Sequence, residues 1–331
     1  MLSAWSRIGF PSSHVSASSR SGAGSVAAVV VTHEPDIDAL ALTLRETSRQ
    51  VSRTVVVDNG SSQARLMSSL EALPGVVLIR LEENRGIAAA LNLGVRHLAA
   101  EGHDYSWVLT LDQDTVLHPG AIRTVLSSLD RVDGSTRAAC GVVGLRHEPV
   151  HLPRGPWRWA VGHRSVGELE HELRDTPLLI TSGNLVRREV AEAIPYEESL
   201  FMDQVDHAFC ATVRSHGWRV LEYTDVLMDH QIGKAVEVRG RKVRYETGQR
   251  LYYIVRNSTF LLLRGQLSAG VYLSQLRSLS WAYAVVNGPS AVPRETAIFI
   301  AGLGDAILRR LGQRSYWFLA EPGERHGRTQ T

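Results

Sequence analysis

The chain has 331 residues, 44% hydrophobic and 21% charged, enough to bury a full core as one large domain or a domain with an appendage. Its 36 Lys and Arg against 34 Asp and Glu leave a net charge of +2, which excludes a bulk positive field that would hold nucleic acid or an anionic membrane across a whole surface. Cys140 and Cys210 form no C-x-x-C pair, so neither a disulfide framework nor a thiolate zinc site is expected, and a reducing cytoplasm fits.

Residues 1–24, rich in Ser and Gly and without the apolar core of a secretory signal, read as a flexible leader. From Val26 a β-branched run, VAAVVVT, precedes a helical period through Leu40, Leu44 and Thr47. The unit recurs: TVVVD (54–58) before a helix from Ser62, VVLIRL (76–81) before a helix from Gly86, and WVLTLD (107–112) before a helix from Pro119. Repeated β-α steps predict a parallel sheet covered on both faces.

A fifth strand is predicted at AACGVVG (138–144), then an irregular excursion from Arg146 to Thr176. Order returns at PLLITSG (177–183), followed by helices at Arg187 to Ala193 and about Val205 to His216, and a strand pair around Trp218 to Met228. Residues 234–250 carry six basic residues against two acidic ones; they read as a loop that folds over a diphosphate, rests on anionic lipid or is simply solvated. Two or three helices follow to about Gly312, and no apolar run reaches the roughly 18 residues of a membrane span. Any membrane contact is therefore peripheral, at the inner face of the cell membrane, and a homo-oligomer is left open.

In open parallel sheets ligands bind beyond the carboxyl ends of the strands. That rule selects Thr32-His33, Asp58-Asn59-Gly60, Glu82 to Gly86 and Asp112-Gln113-Asp114. Asp112 and Asp114, alternate residues leaving a strand, bring two carboxylates near one point, where they repel unless a hard cation such as Mg²⁺ or Mn²⁺ lies beside them; the bland alternative is a cap for the next helix. Asp58 suits a nucleoside's ring N–H or ribose hydroxyls, or an Asx-turn with Asn59 and Gly60. Asn84-Arg85-Gly86 opens a helix whose Ala88, Ala89 and Ala90 allow close approach of a ligand or of packed neighbours. Asp206, near a helix start, suits a general base, whereas Asp203 reads as a helix cap. His230 follows a strand-like segment and can reach a metal as a third ligand.

On these residues, Val26 to Arg264 resembles the GT-A-fold family 2 glycosyltransferases, particularly the rhamnosyltransferase branch and its galactofuranosyltransferase relatives. VVVTHEPD, VVVDNGSS, ENRGIAAALNLG, LTLDQDT, LLITSGNLVRRE, LFMDQVDHAFC, VLMDHQIG and YYIVRN stand in the family's order. The resemblance implies an α/β, Rossmann-like GT-A domain at 25–233, its mostly parallel sheet flanked by helices, with a basic loop and C-terminal helical region at 234–331. It implies that Thr32, Glu34 and Asp58 line a nucleoside pocket, with Asn84, Arg85 and Gly86 near the base and diphosphate. It further implies that Asp112 and Gln113 serve the sugar-nucleotide; that Asp114, His230 and Asp112 hold Mg²⁺ or Mn²⁺; that Asp206 is the base; and that Ser182, Gly183 and Asn184 lie near the acceptor sugar.

The activity implied is inverting transfer of a sugar, preferably L-rhamnose from dTDP-rhamnose, to a hydroxyl of a glycan or lipid-linked saccharide. A UDP-galactofuranose donor and a non-catalytic nucleotide-sugar-binding scaffold are the alternatives. The sequence departs from the family at Val205, where Glu is common, at His207-Ala208-Phe209, and at Lys234, where the branch often has Asp.

Overall fold

The computed structural model describes residues 25–62, 75–147, 168–169, 172–230, 234–238 and 241–319. The leader, the helix expected beyond Ser62 and most of the excursion after Arg146 lie outside the described residues. The amino-terminal elements are β1 (Val26–Thr32), α1 (Ile37–Ser48), β2 (Arg53–Asp58), β3 (Val76–Arg80), α2 (Ile87–Glu101), β4 (Trp107–Asp112) and β5 (Thr115–Leu117). They continue with α3 (Ala121–Arg131), α4 (Gly134–Ala139), β6 (Cys140–His147), β7 (Glu168–Leu169), β8 (Leu173–Asp175), β9 (Asn184–Arg187), α5 (Arg188–Ala193) and α6 (Val205–Ser215). The chain then runs through β10 (Arg219–His230), β11 (Lys234–Val238), β12 (Arg241–Tyr245), α7 (Gly248–Leu263), α8 (Ala269–Asn287) and α9 (Val292–Ile307).

One sheet runs β3-β2-β1-β4-β9-β6-β10-β8-β7, with β5 added against the end of β10. Strands β3, β2, β1 and β4 are parallel, and β9 enters antiparallel between β4 and β6. All seven residues of β1 are buried because its two faces are both covered. Val29, Val31, Val55 and Val57 pack with Leu91 and Val95 of α2, while Ala28, Val30 and Val56 pack with Leu40 and Leu44 of α1. This period-2 division between two apolar layers is what a parallel strand run requires. Ala88 and Ala90 belong to the first of these layers, and a methyl group added at Gly94 would sit 2.4 Å from a Val29 methyl. The small residues of α2 thus let helix and sheet approach closely, and the packing reading of these alanines is the one the structure supports.

Several expected elements differ. PLLITSG (177–183), where order was expected to return, holds no regular element, and strand pairing begins at Asn184. Part of the excursion forms β7 and β8, which pair with each other, and β8 pairs with β10. The strand pair expected around Trp218 to Met228 is one 12-residue strand with register shifts after Glu222 and Val226. Such bulges bend a strand and re-aim its end. Here the end of β10 leaves β6 and pairs with β5, setting His230 opposite Thr115. The basic segment at 234–250, expected as a loop, is a β11-β12 hairpin followed by the first turn of α7.

The C-terminal helices pack into the same body. Phe260 and Leu261 of α7 lie in the α2-side core, and Phe201 joins Leu251, Tyr252, Tyr253 and Val255 in a third cluster with Tyr283 and Ile298. Among the described residues no helix is long and apolar enough to cross a membrane.

Candidate active site

Strand register places Thr32 beside Asp58, Val31 beside Asp112 and Asp58 beside Arg80, so the carboxyl ends of four parallel strands form one rim. Asp58 has no exposed surface. Its Oδ1 accepts hydrogen bonds from the Thr32 hydroxyl at 3.4 Å, from the Ser61 N–H at 3.3 Å and from the Ser61 hydroxyl. No hydrogen bond reaches Oδ2 among the described residues, and Arg80 Nε lies 3.6 Å from it. The turn-forming reading of Asp58 is thus met by Oδ1, which leaves Oδ2 for a further partner. An unsatisfied buried acceptor is costly, so Oδ2 is suited to a ligand N–H or hydroxyl.

The neighbouring loops are tied together by amides. Asn59 Nδ2 donates to Asn84 Oδ1 at 3.1 Å, the Arg85 N–H donates to Asn59 Oδ1 at 2.9 Å, and the Gly86 N–H donates to Asn84 Oδ1 at 2.9 Å. The Arg85 side chain is exposed. Glu34 accepts from the Ser62 N–H at 2.7 Å and its hydroxyl at 3.1 Å, so its carboxylate braces the turn after Asp58. Gln113 Oε1 accepts from the His33 N–H at 2.8 Å, tying the end of β1 to the segment after β4.

Asp112, Asp114 and His230 converge at the centre of the rim. His230 Nε2 lies 3.6 Å from Asp112 Oδ2 and His230 Nδ1 lies 3.4 Å from Asp114 Oδ1. One ligand atom from each of the three lies within 4.8 Å of the others. The D-x-D segment caps no helix, since β5 follows it directly. Two carboxylate oxygens and an imidazole nitrogen form a donor set that fits Mg²⁺ or Mn²⁺. Burial pushes the Asp112 carboxyl up to about 6; His230 opposes the rise, while Asp114 and Asp206 add to it and Arg250 opposes it. A cation would remove that strain by favouring the ionised form.

Behind this set stands a buried hydroxyl chain. The Asp112 N–H donates to Ser182 Oγ at 2.9 Å, Ser182 Oγ lies 2.6 Å from Thr115 Oγ1, and Thr115 Oγ1 lies 2.8 Å from His230 Nδ1. With Nδ1–H donating to Thr115, the Nε2 lone pair faces Asp112, the tautomer a metal ligand needs. Ser182 and Asn184 are buried at 1% and 3% exposure, and Gly183 donates its N–H to the Thr110 carbonyl at 2.8 Å. These three residues support β4 and Asp112 from behind.

Asp206 sits in the first turn of α6, where the helix dipole favours an anion. The His207 N–H donates to Asp206 Oδ1 at 2.8 Å and His207 Nδ1 lies 3.1 Å from it. Burial pushes this carboxyl upward, yet the His207 charge and these hydrogen bonds overcome it and hold it below the usual carboxylate range. Asp203 is not a helix cap: Gln204 occupies that position, and Asp203 Oδ1 instead accepts from Arg250 Nη2 at 2.6 Å. Arg250 also pairs with Glu246 at 2.8 Å, and its charge acts on both Asp112 and Asp206. Sequence reasoning missed Thr115 and Arg250. Thr115 was visible only as the residue after D-x-D, and Arg250 as the last of the basic run.

The fold is the GT-A fold. The family model described as "Glycosyl transferase family 2" matches residues 26–194. The chain is 30% identical over 245 residues to a dTDP-rhamnosyl transferase, RfbF, of Shigella flexneri, covering 72% of this chain and 79% of that one. It is 29% identical over 136 residues to a hyaluronan synthase of Streptococcus pyogenes, covering 38% of this chain and 31% of that protein. Among solved structures, S. aureus TarS superposes with a TM-score of 0.53 at 16% identity over 86% of this chain, which spans about half (49%) of that structure. A structure of GalNAc-T7 with UDP, GalNAc and Mn²⁺ gives 0.52 at 12% identity, over 81% of this chain and 58% of the other. This chain belongs to glycosyl transferase family 2 and is a glycosyltransferase.

Proposed function

We propose that the protein is an inverting, metal-assisted glycosyltransferase that moves L-rhamnose from dTDP-rhamnose to a hydroxyl of a glycan or lipid-linked saccharide. The observation that carries this reading is the meeting of Asp112, Asp114 and His230 at the strand rim, within electrostatic reach of Asp206. The similarity to a dTDP-rhamnosyl transferase over 72% of the chain supports rhamnose over galactofuranose.

In this reading Asp58 Oδ2 accepts the ring N–H of a thymine or uracil, and the Asn59-Asn84 pair fixes the loop over which the diphosphate lies. Asp112, Asp114 and His230 would hold Mg²⁺ or Mn²⁺, whose charge would offset that of the departing nucleoside diphosphate. Asp206, kept ionised by His207, takes the acceptor hydroxyl's proton as that oxygen bonds to the anomeric carbon and the bond to phosphate breaks on the opposite face. One displacement inverts the configuration.

The apolar outer face of α9 and the segment beyond it, with Ile300, Ile307, Leu308 and Trp317 exposed beside Arg309 and Arg310, supports a peripheral contact with anionic lipid on the cytoplasmic side.

The test is transfer by purified protein with dTDP-rhamnose or UDP-galactofuranose, Mg²⁺ or Mn²⁺, and saccharide acceptors, for the wild type and Asp206→Asn. Asp206→Asn is expected to lower kcat by about 10² to 10⁴-fold while donor binding persists. Near-normal turnover of that variant removes Asp206 as the base; exclusive use of UDP-galactofuranose overturns the donor assignment.

A further inference from the structure

The inference rests on Asp206 being the base. The backbone leading into it is unusual at three positions in four: Phe201 has φ 65°, Asp203 φ 57° and Gln204 φ 64°, and none is glycine. At Phe201, φ 65° and ψ −64° together with a Met202 N–H to Leu200 carbonyl hydrogen bond of 2.8 Å define a γ-turn of the rare, strained kind. Conformations like these persist only when the surroundings over-determine them, and they collect at functional sites.

Helix α7 supplies those surroundings from within the YYIVRN motif. The Asn257 amide nitrogen lies 3.0 Å from the Leu200 carbonyl, 2.7 Å from that of Met202 and 2.9 Å from that of Asp203. Arg256 Nη2 donates to the same Leu200 carbonyl at 2.9 Å, and its Nη1 donates to the Gly312 carbonyl at 2.6 Å. Arg256 Nε donates to Asn257 Oδ1 at 2.9 Å, which turns the amide nitrogen toward the loop.

Both side chains have no exposed surface. Among the described residues no carboxylate lies within ion-pair distance of Arg256, on which Asp305 acts only from farther away; its guanidinium lies instead 5.6 Å from the Tyr252 ring centroid and 4.7 Å from that of Tyr253. A buried cation without a close carboxylate is a poor way to stabilise a core, where apolar residues of similar volume often do better. Its value lies in the carbonyls it holds. From the opposite side, the Phe201 carbonyl accepts the Ile87 N–H at 3.1 Å, and a methyl group at Gly86 would lie 2.3 Å from that oxygen. The strained turn therefore joins the donor-side loop to the first residues of the base helix.

We propose that Arg256 and Asn257 are positioning residues for Asp206. They hold residues 200–204 in the left-handed path that starts α6 and so fix the base carboxylate relative to Asp112 and the donor loop.

Asn257→Asp is the test, since it keeps volume and the bond from Arg256 but sets an oxygen against three carbonyls. We expect kcat to fall about 10²-fold with the donor KM little changed, because misplacing a reacting group by about 1 Å costs this much. The amides of residues 202–206 should exchange hydrogen faster. Adding Gln204→Gly, which adopts φ 64° unaided, should recover part of the lost kcat; a role in folding alone gives no such rescue.

A folded Asn257→Asp protein with wild-type kcat, or with unchanged exchange at 202–206, overturns the proposal. Should that variant not fold, Arg256→Lys keeps the charge, loses the guanidinium's paired contacts, and answers to the same two readouts. If the wild type transfers no sugar at all, the glycosyl-transfer reading of Asp206 fails instead, and the exchange measurement still decides whether the clamp exists.

Discussion

Asp58→Asn separates binding from folding at one buried atom. Oδ1 of Asp58 accepts from Thr32, the Ser61 N–H and the Ser61 hydroxyl, so an asparagine must keep its carbonyl oxygen there. Its NH₂ then takes the place of Oδ2, which has no hydrogen bond among the described residues and faces Arg80 Nε at 3.6 Å. A donor now opposes the ring N–H of the nucleobase. The loss is a hydrogen bond to a charged acceptor, about 1.5 to 3 kcal/mol, or about 10- to 150-fold in affinity.

The fold keeps all its Oδ1 bonds and loses only the long ion pair to the partly exposed Arg80, so the unfolding midpoint should fall by no more than about 3 °C, the equivalent of roughly 1 kcal/mol in a protein of this size. Titration calorimetry with thymidine and uridine diphosphate in Mg²⁺ measures the affinity, and kcat at saturating donor should be unchanged because the contact is present before and during the reaction. A nucleotide methylated at the ring nitrogen is the control, and it should bind both proteins equally weakly. Equal affinity of the unmethylated nucleotide for variant and wild type would refute the assignment of Oδ2 to the base.

The pH profile tests the base. Asp206 acts ionised and is held below the usual carboxylate range, so kcat/KM should fall only at low pH; His207→Ala removes the imidazole's charge and side-chain contact, keeps the backbone N–H bond, and should move the acid limb to higher pH, with the plateau preserved. An unmoved limb would mean that His207 does not tune the base. Liposome flotation tests the outer face of α9. The protein should float with vesicles containing anionic phospholipid, and Ile300→Asp combined with Ile307→Asp should abolish this; equal recovery of both proteins removes that face as the contact.

Much of the molecule was legible from local signals. Continuous apolar, largely β-branched runs and the helical periods between them located β1 to β4, because burial on both sheet faces requires such segments. The rule that ligands gather beyond the carboxyl ends of parallel strands then selected Asp58, Asp112 and Asp114 without coordinates. The excursion after Arg146 and the register of β10 were not legible. Strand β10 is irregular, and its course depends on which neighbour each half pairs with rather than on its own pattern.

The sequence by itself therefore determined the chemistry at the strand ends, since a residue's type and its place after a strand decide what it can bind. Only the tertiary structure decided which distant groups serve that chemistry. The bulged end of β10 brings His230 against Thr115, 115 positions away in the chain. Arg250, which read only as the last of a basic run, and Asn257, the end of YYIVRN, secure Asp203 and the turn before Asp206. These contacts all join groups far apart in the chain, and those of Asn257 end on backbone carbonyls. A carbonyl carries no residue identity, and the side-chain pairs depend on strand register and helix packing, so no local pattern in the sequence announces them.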